Sequence, residues 1–184
     1  METLDGRTYD LLFGIRRSIR YHLHRRRFYE GWNTLTVAAG VIGGSSAAAT
    51  FAANLPATLS FLPIVLAAFV AVVSAIDLAV STGRMANLHA DLARRFIALE
   101  QAFAHGRDLK DAEHRKIVAA RLEIEAEEPT PLRLLDTLCH YEILRSLGND
   151  PARHPKVPFP RSALVHFCSQ VDYALSLGPL STAD

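Results

Sequence analysis

Apolar positions along this chain fall into two kinds of pattern. Between Glu30 and Asp77 lie 46 consecutive residues without Asp, Glu, Lys or Arg. On either side, apolar residues recur every three or four positions among charged ones, which is the period of an amphipathic helix. The charge-free stretch divides at Asn54-Leu55-Pro56-Ala57-Thr58, where Asn and Pro mark a turn. The two arms, about 32–53 and 59–80, are each 22 residues long. At the helical rise that is ~33 Å, enough for a ~30 Å hydrocarbon core. Pro63 falls in the first turn of the second arm, where a missing N–H costs little. The pattern predicts an all-α membrane protein built on a two-helix transmembrane hairpin, with an N-terminal amphipathic helix and a C-terminal cytoplasmic helical region.

The flanks subdivide the chain. Residues 1–30 hold the N-terminal helix, in which Leu12, Ile15, Ile19 and Leu23 share a face. Residues 31–80 are the hairpin. Residues 81–148 are cytoplasmic helices. The second span is expected to run on to about His105 along a stripe of Met85, Leu88, Leu92, Phe96, Leu99 and Phe103, spaced like a coiled-coil seam and in need of a partner. Gly106 stops it. Helices follow over Lys110–Glu128 and Pro131–Leu147, the latter with Leu135, Leu138 and Tyr141 on its apolar face and Gly148 as its stop. Residues 149–184 are a linker with Pro151, Pro155, Pro158 and Pro160, then a last helix over Pro160–Leu177.

Charge orients the hairpin. The net charge is only +1, but the 12 residues Arg16–Arg27 hold six arginines and no acid. Arg16, Arg17, Arg20, Arg25, Arg26 and Arg27 precede the first span, Arg84, Arg94 and Arg95 follow the second, and the turn is uncharged. The positive-inside rule puts both termini in the cytoplasm. These arginines, with Trp32 as an aromatic anchor, are expected at the membrane interface, on anionic lipid rather than nucleic acid. No secretory signal or lipidation motif is recognised.

Small residues repeat every fourth position on both arms: Gly40, Gly44, Ala48 and Ala52 on the first, Ala67, Ala71, Ala75 and Ala79 on the second. In lipid this spacing lets helix backbones approach closely, within the hairpin or between subunits of a homo-oligomer. Asp77 is the one ionisable group inside either arm. It is expected near the cytoplasmic interface, paired with Arg26, Arg27 or Arg84, or else at a gate.

Candidate chemistry is sparse. Eight histidines and two cysteines show no Cys-x-x-Cys or His-Glu-x-x-His spacing, so neither a metal nor a cofactor is expected. Cys139 and Cys168 are expected as free thiols. Gly40-Val41-Ile42-Gly43-Gly44 has no lysine and is not a phosphate loop. The acidic cluster Glu123, Glu125, Glu127 and Glu128 reads as a solvated helix face. No enzyme is expected.

Three stretches together resemble the SLATT family, the SMODS and SLOG-associating two-transmembrane effectors. They are the arginine-rich RRRFYEGWNTL, the post-span RMANLHADLARRFIALEQ, and the more specific RLEIEAEEPTPLRLLDTLCHYEILRSLG over Arg121–Gly148, whose motif residues are Glu125, Glu128, Pro129, Asp136, Cys139 and His140. The match spans about Arg16–Gly148. The resemblance implies an antiviral defence effector of the bacterial inner membrane. It would oligomerise and perturb or permeabilise the bilayer on a signal from a separately encoded sensor or nucleotide-signal partner, since no sensor domain is fused here. The alternative is a membrane-anchored scaffold that recruits a cytoplasmic partner without forming a pore.

Overall fold

The computed structural model describes residues 5–103 and 109–147, the side chains of 46–48 excepted. The linker and helix expected over 149–184, Cys168 and the stops at Gly106 and Gly148 lie outside the described residues. Among the described residues there is no strand. The helices are α1 (Gly6–Gly43), α2 (Ser46–Ala53), α3 (Leu62–Val80), α4 (Thr82–Glu100), α5 (Asp111–Glu125) and α6 (Arg133–Ser146), with 3-10 turns at Ala57–Leu59 and Gln101–Phe103.

Helix boundaries differ from the expectation at three places. The basic N-terminal helix and the start of the first expected span form one 38-residue helix, α1, because no proline lies between Arg27 and Trp32 and the single Gly31 costs only about 1 kcal/mol in a helix interior. The expected span at 32–53 is not one helix. It breaks at Gly44-Ser45, where the Ser45 amide and hydroxyl both donate to the Ile42 carbonyl (3.1 and 2.7 Å). Adjacent glycines and serines, weak helix formers, permit the break. The expected continuation from the second span into the post-span stripe is also interrupted, at Ser81, which has φ 53° and ψ 57°. A residue with a Cβ in that left-handed region costs roughly 1–2 kcal/mol. Among the described residues one stretch, the 24 residues Ala57–Val80, is long and apolar enough to cross a membrane, and its apolar window has no buried residue.

The chain forms two compact units, Met1–His24 with Ala90–Asp184, and Arg25–His89. In the first, Leu11, Leu12, Ile15 and Ile19 of α1, Leu92, Ala93 and Phe96 of α4, Ile117 and Ile124 of α5, and Leu135, Cys139 and Ile143 of α6 are all buried. Their spacings of three, four and seven are those of helix faces turned to a common core. The post-span stripe therefore finds its cover within the chain at Leu92, Phe96 and Phe103. On α6 the buried face is Leu135, Cys139 and Ile143, while Leu138 and Tyr141 are half-buried. Tyr21 joins Leu135 and Cys139 in a local cluster flanked by Leu132, Leu134 and Leu138.

The second unit is the reverse: its large apolar side chains face outward. Val41, Ile42, Phe51, Phe61, Ile64, Val65, Leu66, Phe69, Val72, Ile76 and Leu78 are exposed. Among the described residues it buries mostly polar or aromatic side chains, Arg25, Tyr29, Thr36, Thr82 and His89, with the small Ala86. Tyr29 and His89 stack with ring centroids 5.7 Å apart. A Cβ at Gly83 would stand 3.5 Å from the Asn33 side-chain oxygen. Position 29 against 89 and 33 against 83 is an antiparallel register between α1 and α4.

Candidate functional site

The motif residues Glu125, Glu128, Pro129 and Asp136 come together. They line a cleft of about 330 Å³ with Arg17, Ser18, Tyr21, His22, Arg121 and Pro131. Periodicity on α1 sets one wall. His22 continues the series Ile15, Ile19 by three residues and is 1% exposed. Its ring stacks on Phe96 at 5.6 Å, and its Nε2 lies 3.1 Å from a Glu128 carboxylate oxygen. The turn between α5 and α6 forms the other wall, stiffened by Pro129 and Pro131, and the Leu132 amide donates to the Tyr21 hydroxyl (2.9 Å).

Charge in the cleft is matched. Across the walls Arg17 pairs with Asp136 at 3.2 Å, and along α5 Arg121 pairs with Glu125 at 2.6 Å. A Cβ at Gly14 would come within 2.6 Å of Arg121 Nη1, so the glycine leaves room for that guanidinium. With every carboxylate facing a cation or an imidazole, a ligand would have to displace an existing pair. The arrangement fastens α1 to the α5–α6 turn. Glu128→Ala removes a partner of a buried ring and is expected to destabilise the protein by about 1–3 kcal/mol, read as a lower midpoint of thermal unfolding in detergent.

The other two motif residues are structural. His140 meets Phe13 edge to face at 5.1 Å. Cys139 is fully buried, and burial, with Glu142 and Asp136 nearby, pushes its thiol up to about 12. It stays protonated at neutral pH and is no nucleophile. The sign of the linkage follows. The unfolded thiol ionises near 9 while the folded one keeps its proton, so this contribution to stability is present below pH 9 and is lost as pH rises toward 12. Alkylation of Cys139 in the folded protein, followed by mass spectrometry from pH 7 to 9, is expected to be negligible until denaturant is added.

The arginines expected at lipid are largely engaged by the chain's own acids. Arg16 bonds Glu100 at 2.6 Å. Arg20 reaches Glu142 at 3.8 Å and Ser146 at 3.2 Å. Arg26 pairs with Glu30 at 2.7 Å. Arg25 is buried, donates to the Tyr29 hydroxyl, and lies 4.5 Å from the Tyr29 ring centroid. Arg27 is exposed and Trp32 half-buried. Leu12, Ile15 and Ile19 of the expected interfacial helix over 1–30 are covered by protein, because complementary acids and a matching apolar stripe lie on α4 and α6. Arg7 donates to Asp111 (2.9 Å) and Arg95 to Glu127 (2.7 Å), and these hydrogen bonds keep both carboxyls below their usual range.

Among the described residues the small-residue ladders are not packed against the rest of the chain. A Cβ at Gly40 would meet nothing within 4 Å, and one at Gly44 would meet only the Gly40 carbonyl. Ala67, Ala71 and Ala75 are exposed and Ala52 is half-buried; the Ala48 side chain lies outside the described residues. Val70, Val73 and Asp77 are the half-covered face of α3. Among the described residues Asp77 makes no ion pair with Arg26, Arg27 or Arg84. Its carboxylate instead accepts a hydrogen bond from the Thr82 hydroxyl, which is nearer along the chain than any arginine. Arg84 is exposed.

Sequence reasoning missed Tyr21, His22, Arg121 and Thr82. Only His22 carried a usable signal, the continued three-and-four spacing. The described residues hold no group of three or more His, Cys, Asp or Glu fit for a metal ion. No family model, curated protein or solved structure matches this chain.

Proposed function

We propose that the protein is a membrane-embedded effector of a bacterial conflict system, which oligomerises and perturbs the inner membrane on a signal from a separately encoded partner. The observation that carries the membrane part is Ala57–Val80: a 24-residue, predominantly apolar stretch with none buried in its apolar window. In water such a surface would far exceed what a soluble monomer leaves bare. In lipid it is the ordinary exterior of a spanning helix. The exposed Val41, Ile42 and Phe51 support a second crossing by the end of α1 with α2, with Gly44-Ser45 as an internal break. In this reading both termini are cytoplasmic. The effector part rests on the resemblance of the Arg121–Gly148 block and on the outward-facing small residues.

Gly40 offers a sharp test. Since a side chain there meets open space within one chain, Gly40→Leu should leave folding and insertion intact. An effector that works by association between copies should lose activity, whereas a scaffold that uses the hairpin only as an anchor should tolerate it. The protein is expressed with its genomic neighbours, the system is triggered, and membrane potential is followed by a voltage-sensitive dye. Collapse with the native chain and not with Gly40→Leu is expected. Unchanged potential while triggered cells die would overturn the effector reading, and full activity of Gly40→Leu would favour the scaffold.

A further inference from the structure

Ser81 is the one non-glycine position with a positive φ among the described residues. It sits between α3 and α4 at Ser81-Thr82-Gly83, weak helix formers that permit a break, although the left-handed residue is the serine and not the glycine. A residue with a Cβ is disfavoured in this conformation, so the break must be held by something beyond local propensity. Three bonds surround it. The Ser81 amide still donates to the Asp77 carbonyl (2.8 Å). The Ser81 hydroxyl donates to the Leu78 carbonyl (3.3 Å). The Thr82 hydroxyl, on a residue only 4% exposed, crosses the break to the Asp77 carboxylate.

We propose that Ser81 is a two-state hinge. In one state α3 and α4 are broken and latched by Thr82 on Asp77. In the other the latch is released and the two form one continuous helix. The continuous state restores the ordinary i to i−4 pairing of the amides of 82–84 with the carbonyls of 78–80. That gives the two states opposite preferences for surroundings. Bare backbone groups at the break are tolerated beside water but not in hydrocarbon, so lipid rising over 78–84 favours the continuous helix. Asp77 thereby acquires a role as the acceptor of a latch. The switch is local to the Arg25–His89 unit and does not depend on the effector reading.

Distance measurement tests it on the full chain. Spin labels are carried by encoded ketone amino acids at the exposed positions Ala68 and Asn87, and pulsed electron resonance is recorded in micelles and in liposomes. A continuous helix separates these positions by ~28 Å, and the broken form holds them closer. Otherwise native protein in micelles should show mainly the short distance. Thr82→Val and Asp77→Leu should raise the ratio of long to short by about tenfold or more, while Asp77→Asn, which keeps an acceptor oxygen, should stay short. Adding Ser81→Gly to Thr82→Val, which removes the left-handed penalty, should return the short distance. Circular dichroism confirms that each variant is folded. The same short distance in Thr82→Val, Asp77→Leu and Ser81→Ala would overturn the hinge, as would a longer one on adding Ser81→Gly. A distance change without any effect on membrane potential would leave the hinge standing and count against the effector alone.

Discussion

Phe69→Arg combined with Val72→Arg is expected to drive the protein out of the membrane fraction. Both side chains are more than half exposed, at 64% and 59%, and both lie near the middle of Ala57–Val80. On a soluble surface such replacements fall within about 0.5 kcal/mol of neutral. At the centre of a spanning helix each arginine costs about 2.5–3.5 kcal/mol on the insertion scale. Two of them are enough to shift partitioning by a factor of several thousand. Leu122→Arg is the internal control: Leu122 is 59% exposed, but it lies on α5, in the other unit, where water is the expected surrounding. Fractionation with alkaline extraction should find the double variant in the soluble or aggregated pool and the control with the native protein in the membrane pellet. Equal membrane retention of all three would remove the argument from α3.

Phe96→Ala should unfold the unit formed by Met1–His24 and Ala90–Asp184 more readily than any surface change. Its side chain is fully buried and stacks on His22, which in turn contacts Glu128. Truncating a buried phenylalanine typically costs about 3–5 kcal/mol, from lost transfer energy and from the cavity left behind. Against a total stability on the order of 5–15 kcal/mol that is a large fraction. Denaturation in detergent, followed by circular dichroism and by protease sensitivity of α5 and α6, should show the loss. Gly40→Leu should not move the same curve. A cost below about 1 kcal/mol for Phe96→Ala would mean that the stripe on α4 is covered far less completely than the fold describes.

Acid should loosen the same unit in steps. Asp111 and Glu127 are held below their usual range by Arg7 and Arg95. Their contributions are therefore present above the ordinary carboxylate range and fade as pH falls through the lowered values. Both are solvent-exposed pairs, so each effect is small.

The sequence by itself determined the features that depend on length and period alone. The charge-free run needs no partner to be read as spanning material, and Asn54-Leu55-Pro56 divides it by local chain chemistry. The faces Leu12, Ile15, Ile19 and Leu92, Phe96 follow from the helical repeat, and all five are buried. Tertiary structure decided what those faces and charges meet. An arginine beside an apolar stripe suits anionic lipid and a carboxylate equally well. Only the fold brings Glu100, Asp136 and Glu142 within reach of Arg16, Arg17 and Arg20. Likewise Glu125, Glu128 and Asp136 share a cleft because the α5–α6 turn folds them toward α1. The break at Ser81 was the least legible. Ser81-Thr82-Gly83 are weak helix formers but do not single out the serine as left-handed, and the bond that holds the break open crosses from Thr82 to Asp77, a contact that exists only once the chain has already turned.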